Sequence, residues 1–323
     1  MITQYLRKLR LRSNMEPSKK APCVEEDAVL KQFAKEIGAI SLTYLQAGNS
    51  KDRKYEMFTK DGGRYFLRIA SSDRQRLFEQ IFAVRTELFR AGGVLNAPVS
   101  VGTCPFGCYL LEPWLSGDTL LNLLQSMGES AQYEKGWEVG SIISTFHGLN
   151  MNMDDIPPLT KMFSRVMNRF KKTEYDLFGC RQKIIWGIEE TLQNRQDGPS
   201  VLLHGDFHLN NIILDNENNI SIVDFESVCV GDPLWDSISV MDSYRLEYPF
   251  RSFNEGFIAA LSKDYLEDDW AIMASYCCLR KIKEYMFFQG RLTERLSTPS
   301  MWKMYCGFIN NPSTLKAWLM NIN

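Results

Sequence analysis

The sequence predicts an α+β protein of two lobes, a small antiparallel sheet interrupted by one helix and then a larger, mainly helical part. Three observations predict it. At roughly 150 residues per domain, 323 residues make two domains or one protein of two lobes. Strand-like runs crowd the stretch up to Pro113, whereas amphipathic helical stretches fill the chain from Gly117 onward. Strands first and helices afterwards mark an α+β arrangement, not alternating βαβ units. The composition, 45% hydrophobic and 24% charged, is that of an ordinary globular protein, which excludes disorder, collagen-like repeats and disulfide-stapled miniature folds.

Element by element, residues 25–39 read as a helix because Val29, Leu30, Phe33 and Ile37 recur on one face. Strands are expected at 40–46, 54–59 and 64–70, the last after the turn Asp61-Gly62-Gly63. A helix from 72 to 90 then leads through Gly92-Gly93 and Pro98 to strands at 97–102 and 107–113. The composition changes at Pro113-Trp114-Leu115-Ser116-Gly117, where a hinge between lobes is expected. Helices follow at 118–127, 131–149, 160–172 and 175–194, with strands only at 211–215 and 219–224 and helix again over 253–323. The lobes are thus 25–113 and 114–323, preceded by a tail of residues 1–24.

That tail concentrates positive charge. Of the 37 bases and 39 acids that give the chain a net charge of −2, six bases (Arg7, Lys8, Arg10, Arg12, Lys19, Lys20) but only Glu16 fall in residues 1–20, so the body is acidic. An acidic body lacks the field that nucleic-acid binding needs. Chain ends of this kind are usually disordered. No apolar run reaches the ~18 residues of a membrane span. Eight cysteines are sparse, and CPFGC (Cys104, Cys108) has neither a second pair nor a nearby histidine to complete a zinc set. Incidental thiols in a reducing cytoplasm are expected.

The stretch that carries chemistry is Val201 to Asp236, VLLHGDFHLNNIILDNENNISIVDFESVCVGDPLWD. Ile212, Ile213 and Leu214 precede a turn of Asp and Asn, after which Ile220, Ile222 and Val223 return as a hairpin. In simple register Asn211 faces Asp224 across it, bringing an amide oxygen and a carboxylate together at one end, and such hard oxygen ligands suit Mg²⁺. Asp206 stands five residues before Asn211 in the loop that leads in. A carboxylate, an Asn at that distance and a second carboxylate after the returning strand are the arrangement of the protein-kinase catalytic loop and metal-binding Asp. A zinc site on His204 and His208 is the competing reading, poor in ligands because the chain has three histidines and the third, His147, falls in a helix.

His204-Gly205-Asp206-Phe207-His208-Leu209-Asn210-Asn211, Val223-Asp224-Phe225-Glu226 and Gly231-Asp232-Pro233-Leu234-Trp235-Asp236 together resemble the aminoglycoside phosphotransferase family of protein-kinase-like small-molecule kinases. The resemblance spans about residues 25–290 and implies a bilobal kinase-like fold with a nucleotide-binding N-lobe. It implies transfer of the γ-phosphoryl group of ATP or GTP to a hydroxyl, with Asp206 as base and Asn211 and Asp224 holding Mg²⁺. His204, His208, Asp232 and Asp236 would brace the loops. No activation segment closing in Ala-Pro-Glu follows Asp224, which sets the chain apart from protein kinases.

For the nucleotide, the resemblance points to the turn Gly48-Asn49-Ser50 as a degenerate phosphate loop and to Arg68, in RYFLRIA, where the kinase pattern has a lysine. Arginine binds phosphate with a different geometry. Glu79 is the expected acidic partner of Arg68, with Glu87 as competitor. Leu111-Glu112-Pro113-Trp114 would offer backbone groups to the base. Family acceptors include aminoglycosides, macrolides, choline, homoserine and sugars. Seven acids between Asp242 and Asp269, against Arg245, Arg251 and Lys263, suggest an acidic rim for a cationic acceptor such as an aminoglycoside antibiotic. Tyr244, Tyr248, Phe250, Phe253, Trp270 and Tyr276 suggest an aromatic wall. A kinase-like binding protein without catalysis is the alternative that Arg68 favours. Oligomeric state is not encoded in these motifs.

Overall fold

The computed structural model describes residues 24–46, 52–194, 199–242, 250–261, 265–287 and 299–320. The chain forms two compact units. The first takes the described residues up to Leu120 together with Ile212–Glu226, and the second takes the described residues of 121–211 and those from Ser227. The boundary expected at residue 113 therefore falls at Leu120, and the hairpin expected in the helical lobe belongs with the first unit. Pairing explains this: β6 (Asp118–Thr119), β8 (Ile212–Leu214) and β9 (Ile220–Ile222) form one antiparallel ribbon in the order β6-β8-β9.

In the first unit a helix, α1 (Val24–Glu36), precedes five antiparallel strands: β1 (Ala39–Leu45), β2 (Arg53–Thr59), β3 (Arg64–Ala70), β4 (Ser100–Cys104) and β5 (Gly107–Pro113), ordered β1-β2-β3-β5-β4. Strand alternation puts Tyr55 and Met57 of β2 and Leu67 and Ile69 of β3 into one core with Leu30 and Phe33 of α1 and with Leu111. Burying each aliphatic or phenyl group there contributes about 1.5–3 kcal/mol. A 3₁₀ turn, Ser72–Arg74, leads into α2 (Gln75–Arg90), which buries Phe78, Ile81, Val84 and Leu88 at helical spacing and packs on β4 and β5.

The second unit contains α3 (Leu120–Leu124), which starts at the boundary, then α4 (Glu129–His147), α5 (Leu159–Lys171), α6 (Arg181–Asn194), α7 (Leu234–Met241), α8 (Arg251–Ala260), α9 (Glu267–Phe287), α10 (Pro299–Asn310) and α11 (Pro312–Met320). Two short strands, β7 (Val201–Leu203) and β10 (Cys229–Gly231), pair antiparallel. Helix α9 is the axis of this unit, packed against α5, α6, α7, α10 and α11. Its Met273, Cys277, Leu279 and Ile282 are fully buried. Phe163, Trp235 and Tyr276 meet with ring centroids 5.1–5.8 Å apart.

Several expectations need correction. The helix expected at 175–194 begins at Arg181, because Leu177, Phe178 and Gly179 all adopt left-handed backbone conformations that no right-handed helix can contain. The helix expected at 118–127 opens as β6. Strands β7 and β10 and helix α7 were not expected. Phe250, Phe253, Trp270 and Tyr276 are core residues and no aromatic wall, while Tyr244 and Tyr248 lie outside the described residues, as does the basic stretch 1–20.

Candidate active site

The loop carrying Asp206 is built within the second unit. Strand β7 delivers the chain to His204, and α7 supplies a carboxylate, Asp236, that is 0% exposed. Asp236 accepts the backbone N–H of His204 at 2.8 Å and of Gly205 at 3.0 Å, and its Oδ2 lies 3.2 Å from His147 Nε2. Desolvation makes such a buried carboxylate costly, and three partners offset that cost. Trp235 Nε1 donates to the Gly205 carbonyl at 2.9 Å. Gly205 itself has φ +78, and a Cβ there would lie 2.0 Å from the Ser227 carbonyl oxygen. Only glycine fits both constraints. Asp232, two residues before Leu234, accepts from the Leu234 N–H at 3.0 Å and from the Tyr276 hydroxyl at 3.3 Å.

Held on this frame, Asp206 keeps its carboxylate partly exposed. Oδ1 stands 3.5 Å from Lys283 Nζ on α9, and Oδ2 stands 3.5 Å from His208 Nε2. Burial works to raise its pKa, but the His208 hydrogen bond and the charges of Lys283 and Arg280 prevail and hold it well below the usual carboxylate range. The group is therefore an anion at neutral pH. Asn211 donates its Nδ2 to the Asp206 carbonyl at 3.0 Å and its backbone N–H to the His208 carbonyl at 2.8 Å. This bond commits the amide nitrogen and fixes the side-chain oxygen as the end free to act as ligand.

The hairpin of the first unit pairs Ile212 with Ile222 and Leu214 with Ile220. That is one residue away from the register in which Asn211 would face Asp224. The turn has five residues, Asp215 to Asn219, and an odd turn centres the ladder on Glu217. Asp224 lies past the end of β9, exposed and in the left-handed region at φ 66.

Arg68, 6% exposed on β3, does not pair with Glu79. Its Nη2 contacts Asp52 Oδ2 at 2.5 Å and Glu226. Arg74 joins the same carboxylates, at 2.7 Å to Glu226 and 3.3 Å to Asp52. Burial would raise the Glu226 pKa, but Arg68 and Arg74 lower it overall. Glu79 is exposed and accepts from Gln75 Nε2 at 2.9 Å, while Glu87 pairs with Arg90. Glu112 pairs with the buried Arg85, whose pKa burial and the neighbouring Arg68 lower to about 10. Trp114 lies under the Arg64 guanidinium, 4.1 Å from ring centroid to Cζ. Strand β4 ends opposite Leu111, so from Glu112 onward β5 is paired in the ladder only on its β3 side. Gly48, Asn49 and Ser50 lie outside the described residues.

The sequence pattern of the phosphotransferase enzyme family, APH, matches residues 41–276. The chain belongs to this family. It is a small-molecule phosphotransferase, and solved structures share its fold. An amicoumacin kinase, hAmiN, in complex with AMP-PNP, Ca²⁺ and Ami is 15% identical over 98% of each chain with a TM-score of 0.65. Spectinomycin phosphotransferase APH(9)-Ia, in complex with ADP and spectinomycin, is 11% identical with a TM-score of 0.63, covering 90% of this chain and 98% of its own. An APH(2") enzyme in a GDP and kanamycin complex is 10% identical with a TM-score of 0.64, covering 89% and 99%. No curated protein sequence matches the chain.

Within this phosphotransferase, sequence reasoning missed Asp52, Arg74, Glu226 and Lys283. Glu226 stood inside a quoted motif, two residues after Asp224. The others are single charges on ordinary strands, turns and helices, with no local pattern to mark them. The acids expected as a rim behave differently. Asp242 is buried, 3.2 Å from Lys281 Nζ. Asp269 is buried and accepts the Leu266 N–H at 3.1 Å. Glu255, Glu267 and Asp268 are exposed, and Glu247 and Asp264 lie outside the described residues. Helix rise puts Glu267 to Asp269 about 21–24 Å along α9 from Lys283, the residue beside Asp206. Among the described residues no three His, Cys, Asp or Glu side chains converge as a metal cluster. No helix among them is long and apolar enough to cross a membrane.

Proposed function

We propose that this phosphotransferase moves the γ-phosphoryl group of ATP or GTP to a hydroxyl of a small molecule, with Asp206 as the general base. The observation that carries the reading is the placement of Asp206. Its carboxylate is partly exposed, flanked by His208 and Lys283, on a loop fixed by Asp236. An anion so placed accepts a hydroxyl proton as the oxygen attacks phosphorus, and a positioned base of this kind contributes about 10²–10⁴ in rate. Orientation and charge supply the rest.

Mg²⁺ suits the donor set, because it takes one or two protein oxygens and completes its octahedron with phosphate and water. The side-chain oxygen of Asn211 and the carboxylate of Asp224 are hard donors of that kind and would hold it. When bound, the metal would neutralise charge on the phosphates. The backbone of Glu112 to Trp114 is our choice for contacts with the base, since β5 is unpaired there on its β4 side.

For the acceptor, we infer a hydroxylated metabolite or antibiotic that need not be a polycation. Lys283 brings a positive charge beside Asp206, and the acidic turn of α9 stands far along the helix. Aminoglycosides, choline, homoserine and sugars should be screened together for nucleotide-dependent phosphorylation. In the expected outcome Asp206→Asn stays folded, keeps its nucleotide affinity and loses at least about 100-fold in turnover. Near-normal turnover in that variant removes Asp206 as the base.

A further inference from the structure

We infer that Arg68 is a positioning residue for the Asp224-Phe225-Glu226 segment and not a ligand of the nucleotide phosphates. This rests on the reading of Asp224 as a metal ligand and says how the protein sets that ligand.

Four charges close a ring in the first unit. Arg68 touches Asp52 and Glu226, and Arg74 touches the same two carboxylates. Both guanidinium groups also lie over the Phe78 ring, at 5.0 and 5.8 Å from its centroid. Two cations meet two anions in the ring, and the charge of Lys54 also acts on Glu226. Asp52 is 1% and Arg68 6% exposed. A phosphate reaching Arg68 would have to compete with two carboxylates already on its guanidinium, one of them, Asp52, almost fully buried. The planar guanidinium explains why arginine stands where the kinase pattern has lysine. Its several donors can serve two carboxylates at once, whereas an ammonium is a point charge.

The neighbouring residue is fixed as well. Arg85, paired with Glu112, places its guanidinium 5.6 Å from the centroid of Phe225. Asp224 is therefore followed by a side chain under one arginine and then by one held by two. Its left-handed backbone costs about 1–2 kcal/mol for a residue with a Cβ, and such conformations persist where the surroundings over-determine them. The ring and the Arg85 contact supply that determination, and they aim the Asp224 carboxylate before metal or nucleotide arrives.

Arg68→Met, Arg68→Lys and Glu226→Gln separate this role from phosphate binding. Hydrogen exchange of the free protein should show faster exchange across residues 223–228 in all three. Calorimetry should show that the gain in nucleotide affinity on adding Mg²⁺ falls about tenfold, as for other groups that orient a metal ligand, while affinity in EDTA stays within about twofold. The Arg68→Met/Glu226→Gln double variant should lose no more than either single change. Arg68→Lys is the sharpest comparison, because a phosphate ligand predicts retained affinity with lysine and a two-carboxylate bridge predicts its loss. Unchanged exchange, or a tenfold loss in EDTA confined to the Arg68 variants, overturns the inference. If Arg68→Met does not fold, Arg68→Lys and Glu226→Gln carry the comparison. A wild-type protein without Mg²⁺-dependent nucleotide binding would instead sink the proposed function, and the exchange data would still decide the role of Arg68.

Discussion

Removing the Asp236 carboxylate strips the Asp206 loop of the acceptor for two backbone N–H groups, those of His204 and Gly205. Both donors are buried, and each unsatisfied group costs about 1–3 kcal/mol. Asp236→Ala should therefore lose about 2–5 kcal/mol, measured by urea unfolding, and should lower turnover more than nucleotide affinity. A loss below 1 kcal/mol would mean that water takes over the acceptor role. Residues of this kind were legible because the chain carries them in one block: Asp206, Asn211, Asp224, Asp232 and Asp236 fall within 31 positions. The partners of Arg68 were not legible. Asp52 and Glu226 are 16 and 158 residues away from it, and no sequence period links a charge at a strand start to one after a hairpin. Helical spacing pointed to Glu79, but that side chain projects into solvent.

At the scale of elements, backbone contact decides how closely α4 and α8 cross. A Cβ on Gly136 would lie 2.0 Å from the Phe253 carbonyl oxygen, and one on Gly256 would lie 2.0 Å from that of Tyr133. Neither obstacle is a flexible side chain, so alanine at either position must push the helices apart. Gly136→Ala and Gly256→Ala should each cost about 1–3 kcal/mol. The opposite sign is expected for Gly307→Ala, inside α10, where nothing lies within 4 Å of the added Cβ. That change should stabilise by about 0.5–1 kcal/mol. Equal effects at the three positions in urea unfolding would refute the close-crossing account. The five-stranded sheet was readable because Tyr55/Met57 and Leu67/Ile69 alternate, whereas β7 and β10 have three residues each, too few to show a period. Helix α7 was hidden for another reason. All eight of its residues are buried, so it has no polar face to mark a helical stripe.

Across the whole molecule, buried groups that titrate should confine stability to a window of pH. Asp206 and Glu226 have folded pKa values below their ordinary ones, so the stability they contribute is present above about pH 4 and is lost as pH falls toward the folded values. On the alkaline side the sign reverses. Burial raises the Cys229 thiol and the Tyr265 hydroxyl to about 12, and it pushes Cys277 and Cys278 well above the ordinary thiol value. These groups stay protonated in the folded chain while the unfolded chain releases their protons from about pH 8.5 for thiols. Their contribution is complete below that pH and declines above it. Each such group costs about 1.4 kcal/mol per pH unit once the unfolded form is ionised and the folded form is not. With Cys229, Cys277 and Cys278 together, stability should fall by about 4 kcal/mol per pH unit above pH 9. Melting temperatures under reducing conditions should thus form a plateau between about pH 5 and 8, with a steep alkaline limb. Cys277→Ser separates this account from general charge repulsion, because serine can still donate to Asp242 but does not titrate. That variant should shallow the alkaline limb by about one proton, and an unchanged slope would show that the buried thiols do not set it.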